Sequence, residues 1–297
     1  MKTLVLYHQT KPGTDCPDGI ASAWVASKEF PNAQFQGCVY QGDLPDIEGA
    51  DKIIIVDFSF PSQILEGWAG KAEVVVIDHH KTALNDLKDL SARVLQKFDM
   101  NECGATLTWR HFFPDKEMPA FLSYVRDRDL WNFDLDYSEE IHEAISNLKY
   151  QSGSFDKRER AFTVFDMLAN LTDVQLQTVF GPVGEKLLEP KRRRIKEIAA
   201  LAKPATFEEN KILVVEVPEA EARLISDLCS YLYKNNLDYP YVIAYYEAST
   251  GLNLSFRSNK NGSNFDVSEV AKKLGGGGHW NAAGAVVNHQ FPWTLCE

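Results

Sequence analysis

Asp78, His79 and His80 close the run EVVVIDHH (residues 73–80), so an acid and two imidazoles arrive at the tip of an apolar stretch. The arrangement recurs upstream. His8 closes TLVLYH (3–8), Asp15 and Asp18 follow in the loop TDCPDG, and Asp57 closes the apolar run within KIIIVDFS (52–59). Carboxylates and neutral imidazoles suit Mn²⁺ or a similar divalent ion, with Mg²⁺ and Zn²⁺ less favoured. Without cations, several carboxylates in one cleft repel each other and take up protons. Two divalent cations remove that cost. Each residue alone has a plainer reading, since an aspartate after a strand is usually a helix cap or a turn residue. The metal-site reading rests on their convergence.

That convergence needs a scaffold. Short apolar runs bounded by polar residues read as strands buried on both faces. Between them, DGIASAWVASKEF (18–30) and PSQILEGWAG (61–70) carry the pattern of helices, and FQGCVYQ (35–41) reads as a further strand. Alternating strands and helices predict a parallel sheet with helices on both faces, built from right-handed crossovers. The C-terminal ends of such strands share one edge, where ligands bind. His8, Asp15, Asp18, Asp57, Asp78, His79 and His80 all fall on it.

Residues 103–150 read as mainly helical, and VGEKLLEPKRRRIKEIAALAK (183–203) as a charged helix that Pro190 kinks or restarts. Its basic cluster, 191–194, reads as a solvated face. After Lys203-Pro204 the pattern changes. KILVVEV (211–217), YVIAYYEA (241–248) and GLNLSFRS (251–258) read as strands, 221–236 and 267–274 as helices, and GGGGHWNAAG (275–284) leads into a closing strand. The expected organisation is an N-terminal α/β domain over 1–182, a helical linker over 183–204 and a smaller α/β domain over 205–297.

Composition narrows the function. Apolar residues make up 44% and charged residues 25% of the 297, as in an ordinary soluble globular protein. A net charge of −11 excludes a protein that coats long duplex nucleic acid, but not one that holds a small phosphorylated ligand. Five scattered cysteines without a C-x-x-C pair argue against a disulfide scaffold and a cysteine zinc site. No apolar run approaches the roughly 20 residues of a membrane span, and the N-terminal apolar stretch is too short for a signal peptide. The expectation is a cytoplasmic protein with no membrane partner. Its oligomeric state stays open, a homodimer among the options.

The ordered motifs resemble a known family. Asp78-His79-His80 after a Val/Ile strand resembles the signature of the DHH phosphoesterase superfamily. TDCPDGIASAW (14–24) is similar to its first motif, IIIVDFS to the second, and YVRDRDLW (124–131) to the fourth, with Asp127 as the ligand. FRSNKNGSNFDVSEVAKKLGGGGHWNAAGA (256–285) resembles the C-terminal half of the accessory DHHA1 domain, with its glycine-rich His motif. One departure stands out. The family's first motif commonly has His followed closely by Asp-x-Asp, whereas here Cys16 lies two before Asp18, Asp15 lies one residue earlier, and six residues separate His8 from Asp15. As ligands, Asp18 therefore ranks ahead of Asp15, and Asp15 ahead of His8.

The resemblance implies an Mn²⁺-dependent phosphoesterase with two lobes around a cleft, Mg²⁺ or Co²⁺ being alternative ions. Members act on short oligonucleotides, cyclic dinucleotides, pyrophosphate or polyphosphate; the pyrophosphatase branch is less similar, having a different C-terminal domain. It implies two-metal hydrolysis, with Asp57 and Asp127 as shared or facing carboxylates, Asp18 on one metal and His79 on the other. Asp78 would orient a neighbouring imidazole, and His80 would face phosphate. Gly276, Gly277 and Gly278, with Gly275, would let backbone N–H groups approach the substrate, beside His279 and a bidentate Arg257. The leading expectation is hydrolysis of oligoribonucleotides or of linear or cyclic dinucleotides. An exopolyphosphatase or phosphomonoesterase using the same metals, and a non-catalytic nucleotide sensor, are the alternatives. Cys103 and the aromatics Trp109, Trp131, Trp280 and Tyr245 read as packing residues.

Overall fold

Ile53, Ile54, Ile55 and Val56 are all fully buried, which requires cover on both faces of their strand. The computed structural model describes residues 1–40, 42–150, 157–249, 251–258 and 265–296, apart from the side chains of Thr82, Lys149, Tyr150 and His279. It divides into two compact units, Met1–Leu187 and Leu188–Glu297.

In the first unit, β1 (Thr3–Lys11), β3 (Gln34–Cys38), β4 (Lys52–Val56), β5 (Glu73–Asp78) and β6 (Val94–Phe98) form a parallel sheet in the order β3-β1-β4-β5-β6. A two-residue β2 (Thr14–Asp15) folds back antiparallel on β1. Successive side chains of a strand point to opposite faces. Val5, Tyr7, Ile54, Val56, Val75 and Ile77 therefore join one core, and Leu4, Leu6, Ile53, Ile55, Val74 and Val76 the other. The first core takes α1 (Pro17–Glu29), α4 (Gly104–Phe112), α5 (Ala120–Asp129), α6 (Ser138–Tyr150) and α7 (Lys157–Leu168). The second takes α2 (Ser62–Ala69) and Leu87, just after the short α3 (Lys81–Asp86). Helices on both faces of a parallel sheet match the expectation.

The helix expected over 183–203 is shifted: α8 (Asp173–Ala199) starts ten residues earlier, ends four residues sooner, with Lys203 already in a strand, and continues through Pro190. The missing N–H of Pro190 removes one helical hydrogen bond without ending the helix. The basic cluster is not simply solvated: Lys191 pairs with Asp227 at 2.7 Å and Arg194 with Glu221 at 2.9 Å.

The second unit is a mixed sheet in the order β11-β12-β10-β9-β8-β7-β13 among the described residues. Its strands are β7 (Lys203–Phe207), β8 (Asn210–Glu216), β9 (Tyr241–Ala248), β10 (Gly251–Ser258), β11 (Gly277–His279), β12 (Ala282–Val287) and β13 (Thr294–Leu295). Among the described residues only β8 and β9 pair in parallel in this sheet; α9 (Ile225–Asn235) connects them, and α10 (Val267–Lys273) follows β10. Residues 259–264, inside the segment that resembles DHHA1, lie outside the described residues. Trp109 is buried as expected, whereas Trp280 is 37% exposed.

Candidate metal centre

Strand register builds this site. Tyr7 pairs with Val56 and Val56 with Ile77, so the next residues, His8, Asp57 and Asp78, stand side by side at one edge of the sheet. Asp57 turns the chain there with φ 64°, in the left-handed region. That region costs a residue with a Cβ about 1–2 kcal/mol, and such strain persists where the surroundings enforce it. Helix α4 supplies part of the enforcement. A Cβ on Gly104 would lie 2.6 Å from that of Asp57, so only glycine lets α4 approach so closely. Gly19 serves α1 in the same way, because its Cβ would lie 2.3 Å from the His8 carbonyl oxygen.

Asp57 is buried between two groups of donors. Its Oδ1 lies 3.2 Å from His79 Nε2, and its Oδ2 lies 3.3 Å from His8 Nδ1. His79 Nε2 is also 3.7 Å from Asp18 Oδ2 and 3.5 Å from Asp129 Oδ2. Asp18 is anchored at the start of α4, accepting from the backbone N–H of Gly104 at 2.5 Å and of Ala105 at 2.8 Å. Asp78 accepts from His80 Nδ1 at 2.7 Å and from the backbone N–H groups of His79 and His80 at 2.7 and 3.2 Å. Donor atoms of His8, Cys16 and Asp57 lie within 4.8 Å of one another, as do those of Asp18, His79 and Asp129.

The electrostatics ask for cations. Burial opposes ionisation of Asp57, yet the hydrogen bond with His79 and the nearby His8 hold it well below the usual carboxylate range. Burial also opposes protonation of His79, and Asp57, Asp18 and Asp129 override it, raising the imidazole to about 10. Asp18 is pushed well up by burial and then by Asp57 and Asp129. Burial also raises Asp129, with Asp57 adding to it against the pull of His79. Burial, followed by the charges of Asp57, Asp18 and Asp129, raises the Cys16 thiol. His8 Nδ1, Asp57 Oδ2 and Asp78 Oδ2 are buried with no hydrogen-bond partner. An unsatisfied buried polar atom costs about 1–3 kcal/mol, so oxygen and nitrogen donors aimed into a negative cleft fit divalent cations.

Six of the expected residues meet here: His8, Asp18, Asp57, Asp78, His79 and His80. Two do not. Asp15 pairs across β1 with Gln9, accepting from its Nε2 at 2.8 Å, and Cys16 takes the place beside His8 and Asp57. His8, ranked below Asp15, stands in the cluster. Asp127 turns into the chain that follows it, its carboxylate accepting from the backbone N–H groups of Asp134 and Leu135 at 3.0 and 3.3 Å. Asp129, at the end of α5, reaches His79 instead. The repeat in RDRD was the only signal for it. Tyr40, whose ring meets those of His8 and His80 edge-on, left no signal.

In the second unit, Arg257 donates to the Phe256 carbonyl at 2.9 Å and to Ser226 Oγ at 3.2 Å, so its guanidinium is partly committed within the fold. The glycine run is not a free loop. Gly277 and Gly278 belong to β11, and a Cβ on Gly276 would lie 2.1 Å from the Gly284 carbonyl oxygen, so strand packing there needs glycine. Gly277 alone of Gly276–Gly278 has open space where a Cβ would stand. The side chain of His279 lies outside the described residues.

Residues 209–292 match the family model of the DHHA1 domain. The chain is 26% identical over 302 residues to protein R106 of Acanthamoeba polyphaga mimivirus, covering 95% of this chain and 66% of the viral protein, just under two thirds of that relative's length. Its fold is similar to that of the pGpG-specific phosphodiesterase PggH from Vibrio cholerae, with a TM-score of 0.56, 16% identity, and 97% and 94% of the two chains covered. It is also similar to the DHH domain of a member of the s1p family of ribosomal proteins, with a TM-score of 0.60, 13% identity, and 99% and 82% covered. The chain thus matches the DHHA1 family over residues 209–292, and the parallel sheet tipped by Asp78-His79-His80 precedes that segment in a fold similar to that of a DHH domain.

Proposed function

We propose that the chain is a divalent-cation-dependent phosphoesterase that hydrolyses short nucleotide phosphodiesters such as oligoribonucleotides or dinucleotides. The observation that carries this reading is Asp57, whose two oxygens face separate donor groups: His8 with Cys16, and His79 with Asp18 and Asp129. Two divalent cations bound there would polarise the phosphoryl group and activate the attacking water. The chain's own residues hold the geometry. Asp18 is fixed by the α4 backbone, so it cannot swing away. His80 donates Nδ1–H to Asp78, which leaves Nε2 for a phosphoryl oxygen. The shared fold with a pGpG-specific phosphodiesterase supports a short nucleotide as the substrate class, and the net charge of −11 favours a small ligand over a long polyanion.

The test is turnover with Mn²⁺, Mg²⁺ or Co²⁺ of a panel holding a dinucleotide, a longer RNA, a cyclic dinucleotide, pyrophosphate and polyphosphate. Release of mononucleotides from the dinucleotide, lost in Asp57→Ala and His79→Ala variants of native circular dichroism, is the expected result. Turnover of polyphosphate alone would overturn the substrate class. Unchanged turnover in either variant would overturn the site.

A further inference from the structure

We propose that Cys16 is a metal ligand, so that one side of the centre, His8–Cys16–Asp57, is an N,S,O site for a softer divalent ion of the Zn²⁺ or Co²⁺ kind. The inference rests on the two-cation reading above and departs from the donor set expected from sequence, which contained no thiolate.

Three observations carry it. First, the donor atoms of His8, Cys16 and Asp57 lie within 4.8 Å of one another, close enough to surround a single ion. Second, two of these donors face each other without completing a hydrogen bond: His8 Nδ1 and Asp57 Oδ2 lie 3.3 Å apart, and Asp57 is only 1% exposed. Third, Cys16 is a free cysteine at the start of α1, and its sulfur is held by no other side chain among the described residues; the backbone N–H of Gly19 is the donor beside it. The other buried cysteines differ. Cys103 accepts from Thr106 Oγ1, Cys38 contacts the Gln36 carbonyl, and none of Cys38, Cys103 and Cys229 belongs to such a donor group among the described residues.

The chemistry then divides the centre. A thiolate selects softer ions, whereas carboxylate and imidazole donors accept Mn²⁺ and Mg²⁺. The side formed by Asp18, His79 and Asp129 has no sulfur, so two bound ions would face different ligand fields on either side of Asp57. On binding, the thiol gives its proton to solvent, as metal-ligating cysteines do.

The experiment uses the full chain carrying Cys296→Ser, because Cys296 is exposed and would bind metal on its own. The protein is stripped with a chelator and reloaded with Co²⁺ alone or Zn²⁺ alone. The expected results are a thiolate-to-Co²⁺ charge-transfer band in the near ultraviolet and, by X-ray absorption of the Zn²⁺ form, a sulfur neighbour at about 2.3 Å. Cys16→Ser should abolish both and weaken Co²⁺ binding at least about tenfold, while Cys38→Ser leaves them intact. Two bound ions with only nitrogen and oxygen neighbours would overturn the role of Cys16 and leave the two-cation reading standing. Failure to bind any Co²⁺ or Zn²⁺ would overturn both. The X-ray measurement needs no Cys16 variant, so misfolding of Cys16→Ser leaves the proposal decidable.

Discussion

Asp57 Oδ1 lies 3.2 Å from His79 Nε2 while the Asp57 backbone is held at φ 64°. A strained backbone and a buried carboxylate at one position mean that stability and function pull apart there. Asp57→Gly relieves the strain and removes the ligand. We expect turnover to fall more than about 100-fold, and added metal to stop raising the thermal midpoint. In the native protein a ligand at 100 times its dissociation constant adds about 2.7 kcal/mol. Thermal unfolding with and without metal, beside turnover, checks this.

Asp127 and Asp129 make opposite predictions. Asp129→Asn should reduce metal affinity and turnover with little change in the stability of the metal-free protein. Asp127→Asn weakens the acceptor of the Asp134 and Leu135 N–H groups, so it should lower stability by about 1–3 kcal/mol. Denaturant unfolding and metal titration of both variants separate the two roles; reversed outcomes would restore Asp127 to the site.

Metal uptake should release protons. In the metal-free protein the carboxylates raise His79 to about 10, so it is protonated at neutral pH, and a cation must displace that proton. Affinity should therefore climb as pH rises toward about 10. The sign for stability runs the other way: a raised imidazole stabilises the metal-free fold fully below 6.5 and loses that contribution as pH climbs through about 10. Calorimetric titration in buffers of different ionisation enthalpy counts the protons released, and a count of zero contradicts the assignment.

Asp78 acts through His80. Asp78→Asn replaces the acceptor of His80 Nδ1, and losing such an orienting partner costs about 10–100-fold in activity. We expect the loss mainly in turnover, with two cations still bound.

Much of this was legible in the chain. KIIIV and EVVVI are apolar on both faces, each ends in an acid, and in-register pairing then delivers Asp57 and Asp78 together. What failed to read was side-chain direction. Residues two apart on a helix point about 200° apart, so α5 can turn only one of Asp127 and Asp129 to the site, and packing decides which. Adjacent residues of an extended segment also face opposite ways. Pairing Asp15 with Gln9 therefore leaves Cys16 to face His8. β6 was missed because VLQKF alternates buried Val94 with exposed Leu95, as an edge strand does.

The most direct measurement is an anomalous difference map from a crystal soaked in Co²⁺. The account predicts two peaks flanking the Asp57 carboxylate, one beside His8 and one beside His79, about 3.5–4 Å apart. A map with no peak within reach of Asp57, or with peaks at Asp15 or Asp127, would contradict it.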